Sequence, residues 1–132
     1  MLSVTNFDYL LEEPQFKDFV EIAIAAEKVA VIDPATSVID CRRAMELAVK
    51  WMYSVDKDLR TPYQDKLVTL INTLDFKDIV DPNTWQGLDL IRRLGNVAVH
   101  TNRKVSLDEA VLCLKALFSF FDMLDYCYGS NY

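Results

Sequence analysis

The apolar residues of this chain recur at spacings of three and four from one end to the other. That spacing is the period of an amphipathic α-helix. No stretch with the two-residue period of a half-buried strand is bounded by Asn-Gly or Asp-Gly, and the whole chain has only three glycines. The pattern therefore predicts an all-α fold.

Start and stop signals divide the pattern into about five helices with short connections, which favours a mostly antiparallel bundle. The predicted helices span residues 14–31, 34–54, 62–74, 82–99 and 107–126. Several of them begin with Pro at the first helical position, where the backbone N–H that proline lacks would have no partner within the helix. Ser106 and Glu109 form a capping box before the last helix, and Gly129 suits its C-terminal cap. The broad apolar face of the second helix predicts that it is the central one.

Length and composition indicate one helical domain over residues 1–132, since a chain of this size can form a core without disulfides or metal. Cys41, Cys113 and Cys127 are odd in number and lie in apolar stretches, which predicts buried thiols and a cytoplasmic location. Residues 1–6 lack the features of a signal peptide. The longest apolar stretch, residues 111–124, contains Lys, Ser and Asp, so we expect no membrane span.

Several function classes are excluded by missing motifs. The chain has no GxxxxGK[ST] phosphate loop and therefore no site for ATP hydrolysis, and it has no Gly-x-Ser-x-Gly elbow. Its single histidine and its cysteine spacing rule out most metal sites, so we predict neither metal nor cofactor. A net charge of −6 argues against a protein that coats nucleic acid generally, and any nucleic-acid site must be local.

One segment has the opposite charge. Residues 90–104 contain no acid and carry Arg92, Arg93, His100, Arg103 and Lys104. These five side chains are the predicted nucleic-acid-binding surface. The alternative is that the arginines are merely solvated and that the histidine is structural, as is common near a helix C-terminus.

Three polar residues within this segment form a candidate catalytic set. Arg93, Asn96 and His100 share one helix face, because positions seven apart return to nearly the same angle. A histidine can exchange a proton near neutral pH, an arginine can hold two phosphate oxygens, and an asparagine can position a hydroxyl or phosphate. The set therefore suits phosphate chemistry.

Other polar and aromatic residues have simpler interpretations. Arg42, Arg43 and Glu46 lie within the second helix, where the spacing of Arg43 and Glu46 predicts a surface ion pair. Trp51 and Trp85 fall on apolar stripes and are predicted core anchors. Gly95 costs about 1 kcal/mol within a helix, so we expect it to serve close packing, a kink or access to a ligand.

Residues 41–53 and 91–100 resemble the helical domain at the N-terminus of many type I restriction endonuclease R subunits. Residues 6–10, 33–34 and 62–67 share the resemblance, which covers nearly the whole chain. It implies an accessory domain in the N-terminal part of a longer restriction-modification subunit, which serves phage defence. Such a domain would bind nucleic acid or assemble with other subunits, and would itself be neither nuclease nor ATPase.

That domain is similar in turn to the HEPN superfamily, whose active members are metal-independent ribonucleases. Their signature is an Arg followed, after four to six residues, by a His, and Arg93 and His100 fit it with six between them. Leu94 stands where active members usually have a polar residue. The resemblance implies, as the alternative, a stand-alone homodimeric ribonuclease. In it, His100 would take the proton of the ribose 2′-hydroxyl and Arg93 would stabilise the charged phosphorane.

Overall fold

A computed structural model of the chain describes residues 4–130, and every regular element in that range is helical. The predicted all-α bundle is confirmed. Two short 3-10 helices (Asp8–Glu12 and Pro14–Phe16) precede α1 (Lys17–Val29), α2 (Pro34–Val55), α3 (Leu67–Leu70), α4 (Leu74–Ile79), α5 (Pro82–His100) and α6 (Leu107–Tyr128). Residues 1–3, which belong to the predicted non-signal segment, and residues 131–132 lie outside the described range.

Local capping signals fix the starts of the three long helices α2, α5 and α6. The carboxylates of Asp33 and Asp81 accept hydrogen bonds from the backbone N–H three residues on, at 3.2 and 3.0 Å. Ser106 and Glu109 form the predicted capping box in both directions. These bonds satisfy backbone donors that have no partner within the helix.

The prediction of one helix over residues 62–74 is wrong. Residues 61–66 are not helical, and two short helices, α3 and α4, follow in place of one. The break has a tertiary cause, because side chains from other helices take the carbonyl oxygens at the end of α3. Tyr53 of α2 donates to the Leu70 carbonyl at 2.7 Å, and Trp85 of α5 donates through Nε1 to the Ile71 carbonyl at 2.6 Å.

Two predicted helix ends also need correction. The first helix is 3-10 over residues 14–16, and α1 ends at Val29, two residues before the predicted Val31. Gly129 does end α6, but with an extended backbone (φ −74°) and not a left-handed one. A Cβ at Gly129 would collide with the carbonyl oxygen of Asp125, so the position needs glycine for space and not for its conformational freedom.

The central position predicted for α2 is confirmed, since α2 packs against α1, α5 and α6. Trp51 of α2 is partly buried against the core, with its ring 5.3 Å from that of Phe16, as predicted for an anchor. Cys41 and Cys113 are buried, whereas Cys127 is exposed and contradicts the prediction for that thiol. Within the described residues, no helix has the length and apolar character needed to cross a membrane.

Candidate nucleic-acid interface

Helix α5 presents two opposite faces. Leu88, Ile91, Leu94 and Gly95 are buried against the core. The other face carries Asp89, Arg92, Arg93, Asn96 and His100, which fall within one sector of the 3.6-residue period. The predicted catalytic set therefore does share one face of α5.

Carboxylates just outside residues 90–104 partly neutralise the predicted surface. Asp89 accepts a hydrogen bond from Arg92 Nη2 at 2.9 Å and forms an ion pair with Arg93, whose Nε lies 2.9 Å from Oδ2. Glu109 accepts from Arg103 Nη2 at 2.6 Å, and this guanidinium holds the pKa of Glu109 at about 2. The segment has no acid in sequence, but three of its cations are ion-paired in the fold, so its net positive charge is smaller than the sequence suggested.

The predicted site residues divide into two groups. Arg93, with 71% of its side chain exposed, and His100 lie on the solvent-facing side of α5 and do not line the cleft that Asn96 lines. Lys104 is exposed in the connection after α5. Arg92 and Asn96, both partly buried, line a cleft toward α2.

This cleft lies between α2, α5 and the start of α3 and has a volume of about 320 Å³. Its lining brings together side chains that are far apart in the sequence. The lining residues are Arg42, Glu46, Lys66, Leu67, Val68, Arg92 and Asn96. Three cations from three separate elements thus converge on one concave site, with one carboxylate among them.

Gly95 explains how Arg42 reaches the cleft. A Cβ at position 95 would lie 2.5 Å from Cδ and 3.0 Å from Cβ of Arg42, so the stem of Arg42 passes directly over the glycine. Nε of Arg42 is buried and has no hydrogen-bond partner among the described residues. Gly95 therefore serves close packing, one of the roles expected from the sequence, and the packed group is the arginine of the cleft.

The ion pairs along α2 differ from the prediction. Arg43 pairs with Asp40 at 3.8 Å, and Glu46 pairs with Lys50 at 3.1 Å, so the predicted Arg43 to Glu46 pair is wrong. Arg42 has no ion pair among the described residues. The cleft thus contains a guanidinium that forms no ion pair within 4.0 Å with a described carboxylate.

Arg42 and Lys66 are the site residues that the sequence did not identify. Lys66 stands directly before α3, in a segment predicted to be helical. For Arg42, the signal was Gly95, whose cost within a helix already called for a close neighbour. Nothing in the sequence indicated that this neighbour was Arg42.

In the described range, no three His, Cys, Asp or Glu side chains converge as a metal site would require. A family model described as a domain of unknown function, DUF4145, matches residues 24–128. That range includes every residue of the cleft. Comparisons with curated proteins and with solved structures found no match.

Proposed function

The chain belongs to the DUF4145 family, and we propose that it is an accessory nucleic-acid-binding domain, as in the type I restriction endonuclease R subunits that it resembles. The observation that carries this proposal is the convergence of Arg42, Lys66 and Arg92 on one cleft. The domain itself would cut no DNA and hydrolyse no ATP. Contact with other restriction-modification subunits rests on the resemblance alone.

Phosphate is the ligand that this chemistry favours. Guanidinium groups bind phosphate oxygens with paired N–H donors, and a lysine adds a compact positive charge. Asn96 adds an uncharged amide to the lining. The overall charge of −6 repels a polyanion elsewhere on the surface, so binding would be centred on the cleft.

The test is binding of labelled oligonucleotides, single-stranded and duplex, DNA and RNA, measured by fluorescence anisotropy between about 50 and 200 mM salt. Arg42→Ala should weaken binding and lower the slope of log affinity against log salt by about 0.7 to 0.9, the effect of one lost phosphate contact. Arg43→Ala is the matched control, because Arg43 is the next residue of α2 and lies outside the cleft. Absence of salt-dependent binding to any strand, or equal losses in both variants, would refute the proposal.

A second candidate is the metal-independent ribonuclease. The exposure of Arg93 and His100 on one face of α5 favours it, because both remain accessible to an RNA strand. Their Cα atoms are seven residues apart and therefore about 10 Å apart along the helix axis. A complete catalytic site would then combine the Arg93 and His100 side chains of two copies of the chain. The expected activity is RNA cleavage in the presence of a chelator, leaving 2′,3′-cyclic phosphate ends. Equal cleavage by His100→Ala would exclude this function.

A further inference from the structure

The positive charge of the cleft is larger than the single negative charge of an internal phosphate in a nucleic-acid strand. Its lining has three cations, Arg42, Lys66 and Arg92, against one carboxylate, Glu46. Lys50, which lies outside the cleft, is 3.1 Å from Glu46. Asp89 pairs with Arg92 but is shared with Arg93 at 2.9 Å, so an excess of positive charge remains. An internal phosphodiester carries one negative charge, whereas a phosphate monoester carries about 1.5 to 2 near neutral pH. The excess charge therefore favours a monoester.

The hydrogen-bond donors of the cleft favour the same ligand. Arg92 binds Asp89 Oδ1 through Nε at 3.2 Å and through Nη2 at 2.9 Å, so its Nη1 takes no part in that pair. Nε of Arg42 is buried without an acceptor. The Arg42 guanidinium makes no hydrogen bond to a described residue, so its remaining N–H groups are available to a ligand oxygen. A terminal phosphate offers three such oxygens, one more than an internal phosphodiester does.

The size of the cleft suits a single nucleotide. A volume of about 320 Å³ is at the lower end of the range for small-molecule sites and accommodates a phosphate with its sugar.

Tyr63 is an exposed aromatic side chain close to Lys66 in sequence. Its side chain is fully exposed, and it stands three residues before Lys66. Three residues of chain span at most about 11 Å, so the two Cα atoms are within that distance of each other. Tyr63 does not line the cleft itself, but exposed aromatic rings near cationic grooves are the surfaces on which single-stranded nucleic acids stack their bases.

We propose that the cleft binds the terminal phosphate of a single nucleic-acid strand, with the terminal base stacked on Tyr63. This inference deepens the proposed function and rests on it for the identity of the ligand. Arg42 and Arg92 would hold the phosphate oxygens, and Lys66 would supply the additional charge. A free mononucleotide has the same phosphate chemistry and is the other possible source.

The experiment compares one labelled single strand in three forms: with a 5′-phosphate, with a 3′-phosphate and with hydroxyls at both ends. We expect one phosphorylated form to bind about tenfold more tightly than the hydroxyl form, the effect of one additional charge-assisted hydrogen bond. Arg42→Ala and Lys66→Ala should remove this preference, whereas Arg43→Ala should keep it. Lys66 is exposed before α3, so its variant tests the proposal even if Arg42→Ala fails to fold.

The tyrosine is tested separately. Tyr63→Ala should lower the affinity for the phosphorylated strand about tenfold, and Tyr63→Phe should restore it, because stacking needs the ring and not the hydroxyl. Competition by inorganic phosphate should be unchanged in both variants, since phosphate has no base. A loss in Tyr63→Phe equal to that in Tyr63→Ala would overturn the stacking role.

The outcomes separate the two proposals. Salt-dependent binding that is equal for all three strand forms would overturn the terminal-phosphate site and leave the proposed function standing. If no strand binds but adenosine monophosphate does, and Arg42→Ala abolishes that binding, the cleft is a site for a free phosphate monoester and the proposed function fails. If neither a strand nor the mononucleotide binds, both proposals fail.

Discussion

The packing of Arg42 over Gly95 makes a quantitative prediction about stability. Alanine is favoured over glycine within a helix by about 1 kcal/mol. At position 95 this gain is opposed by overlap, because the new Cβ would lie 2.5 Å from Arg42 Cδ and 3.3 Å from Cγ. Carbon atoms prefer about 3.5 to 4.0 Å, and forcing extra carbon into a packed site costs about 1 to 3 kcal/mol. We therefore expect Gly95→Ala to lower the free energy of unfolding by about 1 kcal/mol.

The same substitution should stabilise a protein that lacks the arginine stem. In the Arg42→Ala background, Cδ and Cγ are gone and only the Cβ contact at 3.0 Å remains. About half of the helix-propensity gain should then appear, which is about 0.5 kcal/mol. The coupling between positions 42 and 95 is therefore expected to be about 1.5 kcal/mol, within the range for side chains in direct contact.

Urea unfolding of the four proteins of this cycle, followed by circular dichroism, measures the coupling. Gly87→Ala provides the control, because its Cβ would meet the Cβ of Ala116 on α6 at 2.9 Å, away from Arg42. Its effect should add to that of Arg42→Ala within about 0.5 kcal/mol. Additivity of Gly95→Ala with Arg42→Ala to the same margin would refute the packing that places the arginine in the cleft.

Two further substitutions and one labelling reaction have expected outcomes. Asp89→Asn should tighten strand binding about fivefold at low salt, because the negative charge that pairs with Arg92 and Arg93 is removed, while unfolding becomes easier by about 1 kcal/mol; weaker binding in anisotropy would contradict the first part. Glu109→Gln should make the free energy of unfolding fall less steeply as the pH is lowered. Arg103 lowers the pKa of Glu109 from 4.5 to about 2, so the stabilisation from this carboxylate is present above pH 4.5 and is lost as the pH falls toward 2. Cys127 should be the one thiol that reacts rapidly with a disulfide reagent in the native protein, and all three should react in denaturant.

Most of the fold was predictable because its signals are local. The capping box at Ser106 acts within one turn of helix, and so does the aspartate before each proline of α2 and α5. The failure at residues 62–74 has a different origin, since Tyr53 and Trp85 determine where α3 ends and both are remote from it in sequence. The helical spacing of apolar residues cannot reveal that a side chain from another helix will hydrogen-bond the carbonyl oxygens at the end of a turn.

The candidate site was only half predictable for the same reason. Charge along the chain identified Arg92, but the ion pairs that neutralise this segment come from residues on either side of it, and Arg42 comes from another helix. Gly95 is the local feature that connects these elements. A glycine within a helix and a buried donor without an acceptor each cost about 1 kcal/mol or more, and here the two features meet at one contact. Packing alone would favour alanine at position 95 and an apolar side chain at position 42. The combination of Gly95 with Arg42 is therefore best explained by the positive charge that Arg42 places in the cleft.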